Sequence, residues 1–282
     1  MPIPAPLTPS QRVTLLNLIR RTARAEILPR FRNLKSSDIQ TKRDDQDLVT
    51  EADLAAEKML ARGLLHMFPN ALIIGEEDVA SNSDVLKKIP EAEMAFTIDP
   101  VDGTWNFAKG LATFGVIVSM LRFGRPVLGL LYDPVMDDVI IADERSSVQM
   151  VRQGPSAPRT LSVSAGGEID TLSGYVPIYN LPEASRPAVA ALCPQFARVG
   201  SLRCSCHEFR MMAQGHVDFM MSGNLTPWDH AAGALIVKRA GGHVAMLDGR
   251  EYTAEQSSGV LLCACNEHTW NRVRDVFACL NA

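Results

Sequence analysis

Apolar residues at helical spacing predict two amphipathic helices in the first quarter of the chain. The first stripe follows Thr8 and stops near Pro29; its members are Val13, Leu16, Ile19, Ala23 and Ile27. Thr8, with Pro9 and Gln11 behind it, has the pattern of a helix capping box. The second stripe follows Thr50 and Asp53, which have the same capping spacing; its members are Leu54, Leu60, Leu64 and Phe68. The polar residues 33–46 between them predict a loop or irregular hairpin that carries Lys42.

Beyond the second helix, short apolar runs alternate with turn residues and predict strands. Runs at 71–74 and 96–98 precede three longer ones at 113–123, 127–132 and 139–142, which indicate an antiparallel meander. The second half alternates strands with helices. The strands are expected at 172–176, 197–202, 217–221 and 260–265, and the helices at 182–192, 206–214, 229–240 and 267–280. We therefore predict an α+β fold in a single domain, with a weak boundary between halves 1–154 and 155–282.

The segment 96–107 carries the densest candidate chemistry. Asp99 follows a buried run, Pro100 is expected to end that strand, and Asp102 comes three residues later in a turn. Gly103 and Thr104 then open a predicted helix, whose first free N–H groups favour an anion. Two carboxylates beside an anion-binding helix start suit Mg²⁺ and a phosphate together. The alternative interpretation is an ordinary Asp-Pro-Val-Asp-Gly turn.

Three other acidic residues have both a structural and a functional interpretation. Glu76 follows the strand predicted at 71–74 and is either part of a solvated acidic loop or a third metal ligand. Asp229 opens a predicted helix and is either its N-cap or a ligand. Asp53 either complements a helix dipole or takes part in the chemistry.

Composition limits the compartment and the partners. A content of 46% hydrophobic and 21% charged residues is that of a folded protein, and a net charge of -4 gives no reason to expect nucleic acid. Without a signal-peptide pattern or a membrane-length apolar run, we expect a cytoplasmic protein with no membrane partner. The pairs Cys204/Cys206 and Cys263/Cys265 could bind zinc, but their spacing favours reduced thiols in the core.

These motifs together resemble the inositol monophosphatase family of magnesium-dependent phosphatases. The resemblance rests on segments at 47–53, 75–77, 99–104 and 228–233, ending in Gly241-Gly242, and spans about residues 42–242. It implies a layered αβαβα sandwich, two or three Mg²⁺ ions at the active site and a homodimer. A small phosphorylated metabolite is the implied partner.

The resemblance also assigns roles residue by residue. Glu76, Asp99 and the Val101 carbonyl would hold one Mg²⁺; Asp99, Asp102 and Asp229 would hold a second, with Glu76 assisting a third. Asp53 and Thr104, with Glu76, would activate the attacking water. The residues that would contact phosphate or the rest of the substrate are Lys42, Gly103, Thr104, Ser222 and Asp229, so Thr104 and Asp229 would each have two roles.

Three departures from the family pattern leave the substrate open. Ser222 stands where relatives that act on inositol phosphate carry a Glu that contacts ring hydroxyls. Trp105 replaces a second Thr, and the segment 203–208 departs from the small residues usual beside the substrate. We expect hydrolysis of a small ester such as inositol 1-phosphate, with histidinol phosphate, sugar phosphates and 3′-phosphonucleotides as alternatives. A non-catalytic metal- or phosphate-binding protein and a zinc or redox protein are the hypotheses from other classes.

Overall fold

The computed structural model describes residues 6–42, 46–154 and 157–281. Its helices, in chain order, are α1 (Pro9–Thr22), α2 (Glu51–Met67), α3 (Glu76–Ser81), α4 (Thr104–Ala108), α5 (Arg186–Leu192), α6 (Ser205–Ala213), α7 (Pro227–Arg239) and α8 (Glu267–Val276). Its strands are β1 (Ile39–Thr41), β2 (Leu48–Thr50), β3 (Leu72–Gly75), β4 (Ala95–Asp102), β5 (Gly115–Arg122), β6 (Arg125–Asp133), β7 (Asp138–Asp143), β8 (Gln149–Arg152), β9 (Arg159–Thr160), β10 (Ser173–Tyr175), β11 (Arg198–Gly200), β12 (Phe219–Ser222), β13 (His243–Met246) and β14 (Leu261–Ala264).

Two main sheets organise the molecule. The larger has seven strands in the order β3-β4-β5-β6-β7-β8-β9, in which only the β3–β4 pair is parallel. The smaller has the order β11-β10-β12-β14-β13. The predicted meander is confirmed as β5, β6 and β7. A separate pair, β1 with β2, confirms the predicted hairpin around Lys42, although residues 43–45 lie outside the described part of the chain.

Buried side chains divide the molecule into five layers. One face of the large sheet packs under α1 and α2, as Phe96 and Leu60 show by sharing a core cluster. The other face packs on α6 and α7, which also contact the small sheet through Met220 and Cys263. The far side of the small sheet is covered by α5 and α8 through Val189 and Trp270. The predicted αβαβα sandwich is confirmed.

Local sequence signals explain most helix starts. Thr8 and Gln11 form the predicted capping box, and so do Thr50 and Asp53. The predicted stripe of α1 was partly wrong, because Val13 is 57% exposed whereas Leu15 and Leu18 are buried. Of the helices in the described residues, none has both the length and the apolar character needed to cross a bilayer.

Three further expectations need correction. Pro100 does not end its strand, since β4 continues through a register shift between Asp99 and Asp102 and pairs again with Gly115. The acidic run at 76–78 is not a solvated loop but the first turn of α3, where negative charge complements the helix dipole. The strands β8, β9 and β13 were not predicted, because each is short; β8 and β13 are only partly buried, and β9 is exposed.

Candidate functional site

The end of β4 places two carboxylates at one point. Asp99 and Asp102 lie on either side of the register shift, and the Val101 N–H donates to Asp99 Oδ1 at 3.0 Å. This local bond folds the chain back so that both acids stay against β5, where they are only 2% and 7% exposed. The sequence prediction that the two acids converge is confirmed, although a bulged strand achieves this rather than a free turn.

A third carboxylate reaches this point from α7. Asp229 occupies the third position of the helix, so it is not the N-cap; that place belongs to Thr226. The Thr226 hydroxyl donates to Asp229 Oδ2 at 2.6 Å and orients the carboxylate. One oxygen from each of Asp99, Asp102 and Asp229 lies within 4.8 Å of the others.

Burial and the neighbouring negative charges raise the pKa values of Asp99 and Asp102. Burial, followed by the charges of Glu76, Asp102 and Asp229, raises the pKa of Asp99 well above its usual range. Burial and then Asp229 raise the pKa of Asp102 to about 7, although the Cys206 N–H opposes this by donating to it. Gathered carboxylate oxygens are the ligands of hard cations, so the residues present fit Mg²⁺. A divalent cation would also relieve the repulsion that the raised pKa values report.

Glu76 lies beside this cluster and forms an ion pair with Lys42. Lys42 Nζ donates to Glu76 Oε1 at 2.8 Å and to Glu77 Oε1 at 2.7 Å. Burial lowers the pKa of Lys42, yet the two glutamates outweigh it and raise that pKa overall. Burial raises the pKa of Glu76 to about 8 against the opposing charge of Lys42. Glu76 and Lys42, predicted separately as a metal ligand and a phosphate contact, are therefore paired with each other here.

A hydroxyl–carboxylate pair lies next to the bulge of β4. Thr104 Oγ1 is 3.1 Å from Asp53 Oδ1 and equally far from the Val101 carbonyl. Asp53 Oδ2 accepts from the Thr50 N–H at 2.9 Å and from its hydroxyl at 2.5 Å. Asp53 is fully buried, and burial raises its pKa despite these hydrogen bonds. The structure confirms that one oxygen of Asp53 caps α2, and the other accepts a hydrogen bond from Thr104; a part in the chemistry stays a prediction.

Gly103 is required where the chain turns from β4 into α4. Its φ of 85° lies in the left-handed region, and a Cβ there would come within 2.9 Å of the Thr113 carbonyl oxygen. Only glycine adopts this conformation without steric cost. The Thr113 carbonyl and the Cys204 side chain therefore approach the backbone closely where α4 begins.

Comparison with known proteins identifies the family of this chain. The model of the Inositol monophosphatase family matches residues 11–276. The chain belongs to the inositol monophosphatase family. Fructose-1,6-bisphosphatase/inositol-1-monophosphatase of Thermotoga maritima is 28% identical over 221 residues, covering 77% of this chain and 78% of that relative. Nus factor SuhB of Pasteurella multocida is 30% identical over 228 residues, covering 76% and 78%. An IMPase structure from Thermotoga maritima has a TM-score of 0.79 at 23% identity, covers 96% of this chain and 98% of that one, and shows the shared fold.

The position that departs from the inositol monophosphatase pattern has a partner that sequence reasoning missed. Ser222 ends β12 and is buried, and its Oγ lies 2.9 Å from His230 Nε2. His230 follows the carboxylate Asp229 in α7 and is itself buried. Its position one residue after a predicted ligand was the signal available in the sequence.

The cysteine pairs of this family member pack in the core, as expected for Cys263 and Cys265. Cys204 and Cys206 do more, because Cys204 Sγ lies 3.1 Å from Asp102 Oδ2 and the Cys206 N–H donates to the same oxygen. Across the described ranges, no cysteine joins a group of three potential metal ligands. The pair thus supports a candidate ligand, and no sequence pattern indicated that contact.

Proposed function

We propose that this chain is a Mg²⁺-dependent phosphomonoesterase that hydrolyses a small phosphate ester. The observation that carries the proposal is the meeting of Asp99, Asp102 and Asp229 within 4.8 Å, drawn from two distant parts of the chain. Membership of the inositol monophosphatase family supports the same activity class. The Thr104–Asp53 pair, set beside the bulge that carries two of the acids, adds a proton acceptor.

The metal-binding roles follow the family resemblance. We assign Glu76, Asp99 and the Val101 carbonyl to one Mg²⁺, and Asp99, Asp102 and Asp229 to a second, with Glu76 contributing to a weaker third. Mg²⁺ held there supplies Lewis acidity toward the phosphate oxygens and acidifies a bound water. Because Glu76 pairs with Lys42 at 2.8 Å, its role as a ligand requires that this ion pair opens or is shared.

The chain's own groups position the phosphate and move the proton. The N–H groups of Gly103 and Thr104 donate to phosphoryl oxygens, and the Lys42 ammonium adds positive charge nearby. Water attacks phosphorus in line with the ester oxygen, so that a new P–O bond forms while the ester bond breaks. Thr104 passes the water proton to Asp53, whose raised pKa suits it to accept one. The displaced ester oxygen takes a proton from solvent and leaves as the alcohol, and Asp53 returns its proton to bulk water.

The alcohol is set by residues other than the three acids. Inositol 1-phosphate is our leading substrate type. However, Ser222, which contacts His230, is uncharged, so its hydrogen bond to a polyol hydroxyl would be weaker than that of a Glu. Histidinol phosphate, a sugar phosphate and a 3′-phosphonucleotide are the alternatives within the same chemistry. The relative named as both a fructose-1,6-bisphosphatase and an inositol monophosphatase supports a small sugar-like ester.

Phosphate release from a panel of these esters tests the proposal. We expect turnover of at least one ester with Mg²⁺ and none after treatment with EDTA, with recovery when Mg²⁺ is restored. Turnover that survives removal of the metal would contradict the mechanism. Equal turnover by an Asp99→Asn variant would contradict the assignment of the site.

A non-catalytic role is the second candidate, because a similar protein carries the name Nus factor SuhB rather than that of an enzyme. It predicts that the chain binds Mg²⁺ and releases no phosphate from any ester in the panel. Mg²⁺ binding by calorimetry, run on the sample used for the assay, separates this role from an inactive preparation.

The family resemblance carries two further proposals, a homodimer and a cytoplasmic location. Light scattering at several protein concentrations tests the first; a mass of 30.8 kDa at all of them would contradict it. Fractionation of cells that express the natural gene tests the second.

A further inference from the structure

An arginine and a tryptophan form a stacked pair beside the candidate site. Arg203 Cζ lies 4.0 Å from the centre of the Trp105 ring, a distance typical of a strong cation–π contact. Trp105 belongs to α4 and directly follows Thr104, whose Oγ1 lies 3.1 Å from Asp53 Oδ1. The stack therefore lies one residue from the proposed phosphate contact.

The backbone at Arg203 is held in a conformation that a side chain disfavours. Its φ is 54°, in the left-handed region where glycine is the usual residue. The backbone directly before it is held at both polar groups of Leu202: the N–H donates to Glu208 Oε1 at 2.7 Å, and the carbonyl accepts from Asn106 Nδ2 at 2.8 Å. A strained residue that its surroundings hold in place is characteristic of functional positions.

Contacts on either side tie this arginine to the site itself. A Cβ added at Gly103 would come within 3.4 Å of the Arg203 carbonyl oxygen, so the two backbones are in contact. The next residue, Cys204, touches Asp102 through its thiol. Arg203 Nη1 also donates to Gln46 Oε1 at 3.1 Å, which joins it to the segment that leads into β2.

Within the described ranges, the guanidinium of Arg203 forms no ion pair. Among the described residues, no carboxylate lies within ion-pair distance of Arg203. The side chain is exposed, while the indole covers one face of the guanidinium and leaves N–H groups at its edge. A planar fork of donors held by stacking is suited to bind a carboxylate or phosphate with two hydrogen bonds.

We propose that Arg203, held over Trp105, binds a second anionic group on the alcohol part of the substrate, either a carboxylate or a further phosphate. The inference rests on the proposed phosphatase function and narrows its substrate class. The proposal agrees with the presence of Ser222 in place of a Glu. A carboxylate at that position would recognise neutral hydroxyls and would repel an anionic group on the substrate. Arg203 is thus a specificity residue, separate from the groups that hold the metal and activate water.

Two esters that differ only in charge test this assignment. 2-Phosphoglycerate and glycerol 2-phosphate share a phosphorylated carbon, but the first has a carboxylate where the second has a hydroxymethyl group. We compare kcat/KM for both with Mg²⁺ in the wild type and in Arg203→Gly, since glycine accepts the left-handed backbone without strain. The matched control is Arg32→Gly, because Arg32 also has a positive φ of 60° and stacks on an aromatic ring, Phe31, but contacts Gly110 past the other end of α4.

The wild type should prefer 2-phosphoglycerate, and Arg203→Gly should lower the ratio of the two kcat/KM values by about tenfold, as expected for the loss of a charged hydrogen bond. The control should keep the wild-type ratio, and Arg203→Lys should restore part of it. An unchanged ratio in Arg203→Gly, or an equal fall in the control, would overturn the inference.

Binding measured by calorimetry keeps the test independent of turnover. Tighter binding of 2-phosphoglycerate by the Mg²⁺-loaded wild type than by Arg203→Gly supports the anion subsite even if this ester is not hydrolysed. If no ester of the panel is hydrolysed either, the result contradicts the phosphatase proposal alone. Equal binding by the two proteins would reject the subsite and leave the phosphatase proposal standing.

Discussion

Asp99 stands at the centre of the account, because both proposed metal positions share it. It is buried, and the charges of Glu76, Asp102 and Asp229 all raise its pKa. In the metal-free protein its ionised form is therefore disfavoured, and a bound cation would reverse that preference.

Replacing Asp99 with Asn should separate function from folding. The amide has nearly the same shape and removes a buried charge, so we expect a melting temperature in EDTA equal to or above that of the wild type. Turnover should fall by well over a hundredfold, since losing even an outer partner of a metal ligand costs about 10- to 100-fold in affinity or activity. Asp218→Asn, which alters an acid that holds Ser164 and Ser173 elsewhere, is the control for turnover. A large loss of stability without loss of specific activity would argue against the role of Asp99.

Glu208 gives a prediction about pH that does not involve the metal ligands. It is 5% exposed, accepts hydrogen bonds from Leu202 N and Ser201 Oγ, and burial raises its pKa from 4.5 to about 7. Since the folded state holds this proton more tightly than the unfolded state, the stability it contributes is complete below pH 4.5. That stability is lost as pH rises toward 7.

Glu208→Gln keeps an oxygen acceptor and removes the titration. Urea unfolding in EDTA should therefore show the variant gaining on the wild type between pH 4.5 and 8, by up to roughly 3 kcal/mol at 1.36 kcal/mol per pKa unit. Parallel stability curves for the two proteins would show that Glu208 titrates normally.

Sequence reasoning at the residue scale located the acids but not their partners. Asp99, Asp102 and Asp229 were identified from strand ends and a helix start, and the structure brings them together. The pairing of Glu76 with Lys42 was not predicted, because it depends on how the β1–β2 hairpin folds over α3. The contact of Cys204 with Asp102 was not predictable either, because the two residues are 102 positions apart in the chain. The contact of His230 with Ser222 was missed although His230 directly follows a predicted ligand, because it depends on how the end of β12 meets α7.

Helix α7 shows how an element positions the site. It is buried along most of its length, because it lies between the two sheets. Gly129 in β6 permits this packing: a Cβ there would come within 2.5 Å of the Ala232 carbonyl oxygen. The close approach of β6 and α7 therefore sets where Asp229 meets the acids of β4.

Gly129→Ala should push α7 away from the sheet. We expect a loss of about 1–3 kcal/mol in the free energy of unfolding, the usual cost of overpacking a core. Turnover should fall too, because Asp229 would move with its helix. Gly200→Ala is the matched control, since a Cβ at Gly200 in β11 meets nothing within 4 Å. A Gly129→Ala protein with wild-type stability and turnover would contradict this role for the contact.

Elements were predictable where the signal is local. The capping boxes of α1 and α2 and the meander of β5 to β7 depend on neighbouring residues and were predicted correctly. The burial of α1 was predicted less well, because Val13 follows the helical period but lies at a position that no other layer covers. The continuation of β4 past Pro100 depends on pairing with β5, which no local pattern reveals.

At the scale of the whole molecule, the layers explain why the acids come from distant segments. Asp99 and Asp102 lie at the end of β4 in the large sheet, whereas Asp229 lies in the first turn of α7, the helix packed between the two sheets. The site exists only when both halves are folded together, so metal binding and global stability should be coupled. Family resemblance supplied the five-layer order, which composition and periodicity alone did not provide.

The most direct test of the account is the position of a bound cation. Crystals soaked with Mn²⁺, a stand-in for Mg²⁺ with strong anomalous scattering, should show a peak contacting oxygens of Asp99, Asp102 and Asp229. In crystals of Asp99→Asn grown alongside, the peak should be lost or much weaker. A wild-type map with no anomalous peak among these three residues, at Mn²⁺ concentrations that support turnover, would contradict the central claim.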